Sequence, residues 1–291
     1  MRRNTYALSA VIFFIGFLSH PVLSEPLYWS ASKGNKELMI FGSVHVGNEE
    51  MYPLPVPVIE YLEKSDGLIV EADIRKNNNV QYPAAKYKSE DVLSKSLKQK
   101  LIEVGNSLNL HPQTLLMSPP WATALTLQMK QFESLGLEAQ YGVDSFLIEK
   151  ATLENIPVLG FEELQFQINL LTKLPKDGEL LLISGLEEWD NSEKSAGCII
   201  ESWQSGDAAN LLELGMSSEI SPEMNERFVY SRNHNWIQRL NNNSFVPENS
   251  KHLIVVGTLH LVGEQNLLSL LQEDGYSVEQ LSTSQKANCA F

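Results

Sequence analysis

Two tetrapeptides in opposite halves of the chain place a histidine at the end of an apolar run. Gly42-Ser43-Val44-His45 follows Leu38-Met39-Ile40-Phe41, and Gly257-Thr258-Leu259-His260 follows Leu253-Ile254-Val255-Val256. A second glycine succeeds each, Gly47 and Gly263. An apolar run of this length is a buried strand, and glycine after it permits a tight turn or a close backbone approach. Parallel strands gather such ends at one sheet edge, where ligands of open α/β sheets bind. Two imidazoles brought together there suit a divalent transition metal, which polarises a carbonyl or acidifies a bound water. Alternatively they are general bases working without metal.

Carboxylates end two further apolar runs. Glu71 closes Gly67-Leu68-Ile69-Val70, and Glu162 closes the run that begins at Ile156. Glu71 joins the histidines either as a third ligand or as the base for a bound water. Glu279 stands as far from Gly275 as Glu71 does from Gly67, but near the C-terminal edge, and is expected in solvent. Asp144, after Gly142-Val143, precedes a helix and reads first as its N-cap, second as a site residue. Arg232 and Asn233 fall in a dense polar stretch, Tyr230 to Trp236, on an expected helix. Arginine binds carboxylates and oxyanions in bidentate fashion, so Arg232 would orient a substrate carboxylate or stabilise an oxyanion.

The elements that position these residues repeat. Strand 38–41, a helix to about residue 64 and strand 67–70 make one unit; strand 253–256, helix 265–272 and strand 276–281 make another. The expected architecture is α/β: internally duplicated βαβ units forming a central sheet flanked by helices. A helical lobe is expected between them, over residues 77–140. There Leu93, Leu97, Leu101, Val104 and Leu108 form one stripe, and Trp121, Leu125, Met129 and Phe132 a second, after Pro119-Pro120. Further helices are expected over 164–186 and 197–241, broken at Gly206-Asp207 and Ser221-Pro222.

Residues 1–24 read as a signal peptide: Arg2 and Arg3, a short apolar stretch, then Val22-Leu23-Ser24 before Glu25. A single domain is expected over 25–291, periplasmic or secreted, with no stable membrane span after processing. The chain of 291 residues has formal net charge −14, and no basic stripe offsets it. That argues against nucleic acid as a partner. The two cysteines, Cys198 and Cys289, either form a disulfide in an oxidising compartment or are unrelated thiols.

The ordered set resembles a known family. Gly42-Ser43-Val44-His45 and Gly257-Thr258-Leu259-His260, with Val70-Glu71, Gly142-Val143-Asp144, Gly160-Phe161-Glu162 and Arg232-Asn233-His234-Asn235-Trp236 between them, are similar to the landmarks of the TraB/GumN (pheromone-shutdown) family. That family includes the Tiki metalloproteases and is related in fold to erythromycin esterase and the ChaN haem-binding protein. The resemblance implies an erythromycin esterase/ChaN-like fold and places His45, Glu71 and His260 in the site, with Asp144, Glu162, Arg232 and Asn233 near it. Through the Tiki proteins it implies metal-dependent peptide cleavage with manganese or cobalt. The leading expectation is therefore an exported hydrolase holding manganese, cobalt or zinc at His45, His260 and Glu71. Arg232 and Asn233 would assist catalysis, and Asp144 and Glu162 would contact a peptide or other small-molecule substrate. Its rivals are a non-catalytic protein sequestering a small peptide or tetrapyrrole, and a metal-free esterase-like hydrolase.

Overall fold

The computed structural model describes residues 24–217 and 222–289. The expected signal segment therefore lies outside the described residues, apart from Ser24. Six strands form one sheet: β1 (Tyr28–Lys33), β2 (Lys36–Ser43), β3 (Gly67–Ala72), β4 (Val158–Glu162), β5 (Lys251–Gly257) and β6 (Ser277–Gln280), in the order β4-β3-β5-β2-β1-β6. β2, β5, β3 and β4 run parallel, while β1 is antiparallel to both β2 and β6. The two apolar runs that precede the histidines are neighbours, paired residue for residue from Glu37 with Lys251 to Ser43 with Gly257. Their continuous apolar character follows from burial on both faces: Ile40, Phe41, Leu68, Ile69 and Leu253 to Val256 are essentially inaccessible to solvent.

The two expected units run in the same sense but are spaced differently. β3 lies two places from β2, with β5 between them, whereas β6 lies three places from β5 at the opposite edge. Their corresponding carboxylates diverge accordingly. Glu71 is buried near the centre of the sheet, and Glu279 is exposed on edge strand β6, opposite Ser30.

The helical lobe between β3 and β4 has a small core of its own, Leu93, Leu101, Val104, Leu115 and Leu127, completed by Leu182 and Leu186 from helix Glu179–Glu187, which follows β4. It begins later than the sequence suggests, because residues 77–88 are irregular and the first helix starts at Ser89. Ser94 caps Lys95–Ser107 by accepting from the Leu97 N–H, which separates Leu93 from the helix of its stripe. In Pro120–Ser134 the buried residues are Pro120, Thr123, Leu127 and Gln131, while Leu125 of the expected stripe faces solvent. Cys198, on helix Trp189–Ser205, and Cys289 form a disulfide that ties the C-terminal segment to the middle of the chain. No helix among the described residues is long and apolar enough to cross a membrane.

Candidate functional site

The carboxyl ends of β4, β3, β5 and β2 present Glu162, Glu71, His260 and His45 along one edge of the sheet. The two histidine motifs touch there, since the Thr258 hydroxyl donates to the Ser43 carbonyl at 3.0 Å. Gly257 serves as a hub. Its N–H donates to Glu71 Oε1 at 2.8 Å, and a Cβ on it would lie 3.2 Å from the same oxygen. That Cβ position is 3.9 Å from both His45 Nε2 and His260 Cδ2, so the imidazoles are at most twice that distance apart. Both histidines belong to one locus.

Their surroundings differ. His45 Nδ1 donates to Asp144 Oδ2 at 2.8 Å, and Ser43 Oγ donates to Asp144 Oδ1 at 2.7 Å, fixing the carboxylate. Gly142, just before the helix Val143–Leu153, lies so close to the His45 carbonyl that a side chain there would collide with it. Asp144 thus sits inside the first turn and is committed to His45 and Ser43; Gly142 is the N-cap, so the capping reading of Asp144 is corrected. Asp144, by its charge and then its hydrogen bond, pushes the His45 pKa up. The ring is 68% exposed, so solvent screens the pairing, and the upward direction carries the chemistry. No described residue hydrogen-bonds His45 Nε2, which lies on the side of Gly257, 3.9 Å from a Cβ placed there.

His260 is buried, its ring 4.4 Å from that of Trp236. Asn233 donates through Nδ2 to the carbonyls of His260 and Gln265, so its Oδ1 accepts from His260 Nδ1 at 2.7 Å. That fixes the tautomer: Nε2 carries the lone pair and accepts from an Arg232 Nη at 3.1 Å. Burial first, then the charges of Arg232 and His45, lower the His260 pKa to about 3 against the pull of Glu71. His260 is neutral near pH 7.

Arg232 ties this half together. Its Nε and second Nη donate to the two Glu162 oxygens at 2.9 Å each, and that Nη also donates to Glu71 Oε2 at 2.5 Å. The first Nη donates to the Phe228 carbonyl at 3.0 Å as well as to His260. A turn of π-helix, Glu226–Tyr230, brings that carbonyl into reach, and helix Ser231–Leu240 turns Arg232, Asn233 and Trp236 inward together. All five guanidinium N–H groups are engaged, so Arg232 as placed has no donor left for a substrate carboxylate. As placed, Arg232 is a clamp on two buried carboxylates. Asn233, its amide fully used, positions His260.

Glu71 also accepts from Gln167 Nε2 at 3.2 Å. Burial would raise its pKa, but His260, Arg232 and His45, with the Gly257 N–H, more than offset that and hold it well below the usual carboxylate range. With His260 neutral, Arg232 is the cation that matters. Glu162 accepts from Trp236 Nε1 at 2.9 Å in addition to Arg232, so it too is committed within the protein. Sequence reasoning missed Gln167, a mid-helix glutamine that carries no local signal.

The donor types at this edge suit a divalent transition metal, but their arrangement does not offer it a site. His260 Nε2 is taken by Arg232, and Glu71 accepts three hydrogen bonds, from Arg232 and Gln167 on Oε2 and from Gly257 on Oε1. Among the described residues no three His, Cys, Asp or Glu side chains are grouped to hold one ion. What the edge offers as placed is one exposed imidazole backed by a carboxylate, beside a buried network in which a single Arg232 is shared by Glu71 and Glu162.

This combination, two Gly-x-x-His turns on adjacent parallel strands with carboxylates ending the next two, extends over the length of the sheet. Residues 27–280 match the TraB/PrgY/gumN family, and the chain belongs to that family. It is 30% identical over 241 residues to the uncharacterized protein YbaP of Escherichia coli (strain K12), covering 82% of this chain and 89% of that protein. It matches the uncharacterized protein YbaP of Shigella flexneri with the same identity and coverage. No solved structure matches.

Proposed function

We propose that the protein is an exported hydrolase of peptide or ester bonds in which His45, oriented by Asp144, transfers the proton. The observation that carries this reading is the His45–Asp144 pair, with Nδ1 held by the carboxylate and Nε2 free of any described partner on an exposed ring at the common strand edge. A base so held takes a proton from water as the water attacks a carbonyl, and as imidazolium returns it to the amine or alkoxide that leaves when the C–N or C–O bond breaks. Because Asp144 raises the His45 pKa, the basic form grows as pH rises above neutrality. Glu71, held well below the usual carboxylate range, is a poor proton acceptor; it contributes fixed negative charge beside Arg232, which it shares with Glu162. Export is supported by the disulfide between Cys198 and Cys289. We also take the two Gly-x-x-His units as copies of one strand–helix–strand unit in an esterase-like fold. Their common direction in the sheet supports this.

The metal-dependent reading is the rival. It is favoured by the convergence of His45, Glu71 and His260 around Gly257, and it requires Arg232 to leave His260 and Glu71. Peptide and ester libraries, offered to purified protein with a chelator or with manganese, cobalt or zinc, test both readings. Turnover that survives the chelator and is lost in His45→Ala supports the proposal. Turnover that appears only with metal supports the rival. No turnover under any condition leaves sequestration of a small ligand.

A further inference from the structure

A cleft of about 890 Å³ opens at the β4 edge of the sheet and reaches the candidate site through Glu162. It lies in the size range of ligand sites. Its inner wall is β4 itself, whose outer edge pairs with no further strand among the described residues; Gly160 and Glu162 line the cleft. The outer wall is the irregular segment after β3, held by side chains in place of a sheet ladder. Gln165 Oε1 accepts from the Gln81 N–H at 2.7 Å, and Gln165 Nε2 donates to the Gln81 carbonyl at 3.0 Å. Asp177 Oδ2 accepts from the N–H groups of Lys86 and Tyr87 at 2.6 and 2.7 Å. Tyr82, on this wall and 62% exposed, stacks against Trp121 with ring planes 7° apart. The wall is therefore formed before any ligand arrives.

The charges lining the cleft are unequal once those already paired within the protein are set aside. The Asp73 carboxylate is held in bidentate fashion by Arg75, and that of Glu162 by Arg232 and Trp236. Lys173 and Arg239 make no ion pair among the described residues, and Lys76 approaches only the already paired Asp73, at 3.6 Å. Against these three cations stand the Glu163 carboxylate and the one negative charge left over where Arg232 is shared between Glu162 and Glu71, an excess of one positive charge. A local excess of positive charge on a chain of net charge −14 favours an anionic ligand over the field of the rest of the molecule. The three cations come from three separate elements, so they match carboxylates spread along a ligand better than one compact anion. An unpaired strand edge flanked by side-chain pockets is how proteins bind extended peptide backbones.

We infer that this cleft binds a short acidic peptide segment, extended along β4, with its carboxylates on Lys173, Arg239 and Lys76. The inference rests on the hydrolase reading only in making this segment part of the substrate; the binding itself is separable. The test uses the full chain carrying His45→Ala and a labelled hexapeptide with alternating glutamates, followed by fluorescence anisotropy. Its glutamine and lysine counterparts serve as controls. The glutamate peptide should bind about tenfold more tightly than the glutamine peptide, as two or three charge-assisted contacts allow, and should weaken as salt rises. Lys173→Gln and Arg239→Gln should each cost about threefold, and Lys173→Glu more. Arg239 also lies over the Phe245 ring, so Lys173, at the end of helix Leu164–Thr172, is the cleaner probe. Equal binding of the glutamate and glutamine peptides, or unchanged affinity in both Lys173 variants, overturns the inference. Selective binding by a parent protein that turns over no substrate would sustain the cleft assignment and remove the hydrolase reading.

Discussion

The two Gly-x-x-His turns are near copies in sequence and opposites in chemistry. His45 is exposed and paired with a carboxylate; His260 is buried and paired with an amide. A charged acceptor on Nδ1 raises the basicity of an open ring, whereas a neutral acceptor in a desolvated pocket leaves the ring neutral. One residue, Asp144 against Asn233, separates a proton-transfer group from a structural member of an ion network. The same spacing on adjacent strands thus specifies position and leaves function to whatever helix arrives from elsewhere in the chain.

The largest test of this contrast is Arg232→Ala. Removing the clamp strands Glu71 and Glu162 as buried, uncompensated charges, and urea unfolding should register a loss of about 3–5 kcal/mol. A change under about 1 kcal/mol would mean that the network is not the scaffold described. Next comes His260→Ala, which empties a ring-packed site against Trp236 and should cost roughly 2–4 kcal/mol by the same measurement. His45→Ala should leave stability within about 0.5 kcal/mol, as surface changes do, while abolishing turnover. If the two alanine variants destabilise equally, the contrast fails.

Titration separates the turns further, with opposite signs. His260 has a folded pKa of about 3, below its ordinary value. Between about 6.5 and 3 the unfolded chain therefore binds a proton that the folded one refuses, so stability falls as pH drops through that window. For His45, whose folded pKa is raised, the contribution is present in full below the ordinary value and is lost as pH rises above it. Chemical unfolding from pH 4 to 9 in His260→Gln and His45→Gln backgrounds should show the acid-side slope shrink only in the former. The smallest effect belongs to Asp144→Asn. Proton NMR should find the His45 pKa moved down toward the ordinary histidine range, and the alkaline rise of chelator-insensitive turnover should move down with it. An unmoved His45 resonance would show that Asp144 does not set its basicity.

Much of the edge was legible because its signals are local. An apolar run followed by Gly-x-x-His marks both turns, and the strand-terminal position marks Glu71 and Glu162. The role of Asp144 was not, since a carboxylate in a first helical turn has the same local pattern whether it caps a helix or meets a histidine many residues away. Arg232 read as a substrate binder because a sequence cannot show how many of its donors are spent inside the protein. The stripe through Leu125 misplaced one helix face because polar Thr123 and Gln131 are buried there, Thr123 by bonding Ser89 and the Leu115 carbonyl, Gln131 by donating to Ser192. Strand order was hidden as well: nothing near residues 251–257 says that they pair with both β2 and β3.

That strand order has a consequence for how the chain acquires its shape during synthesis. β1 and β2 pair through a short turn, and β3 pairs with β4, but only β5 joins these two pairs. A chain ending before residue 251 therefore holds two incomplete sheets whose apolar inner edges have no partner. Such edges are templates for aggregation, and pairing this distant in sequence is slow to form. The sheet's central seam closes only once residues 251–257 have been made, and the cysteine link to Cys289 closes after it. Termination or proteolysis before residue 251 during biogenesis should thus yield insoluble material rather than a weakened protein, making strand β5 a checkpoint for the whole molecule.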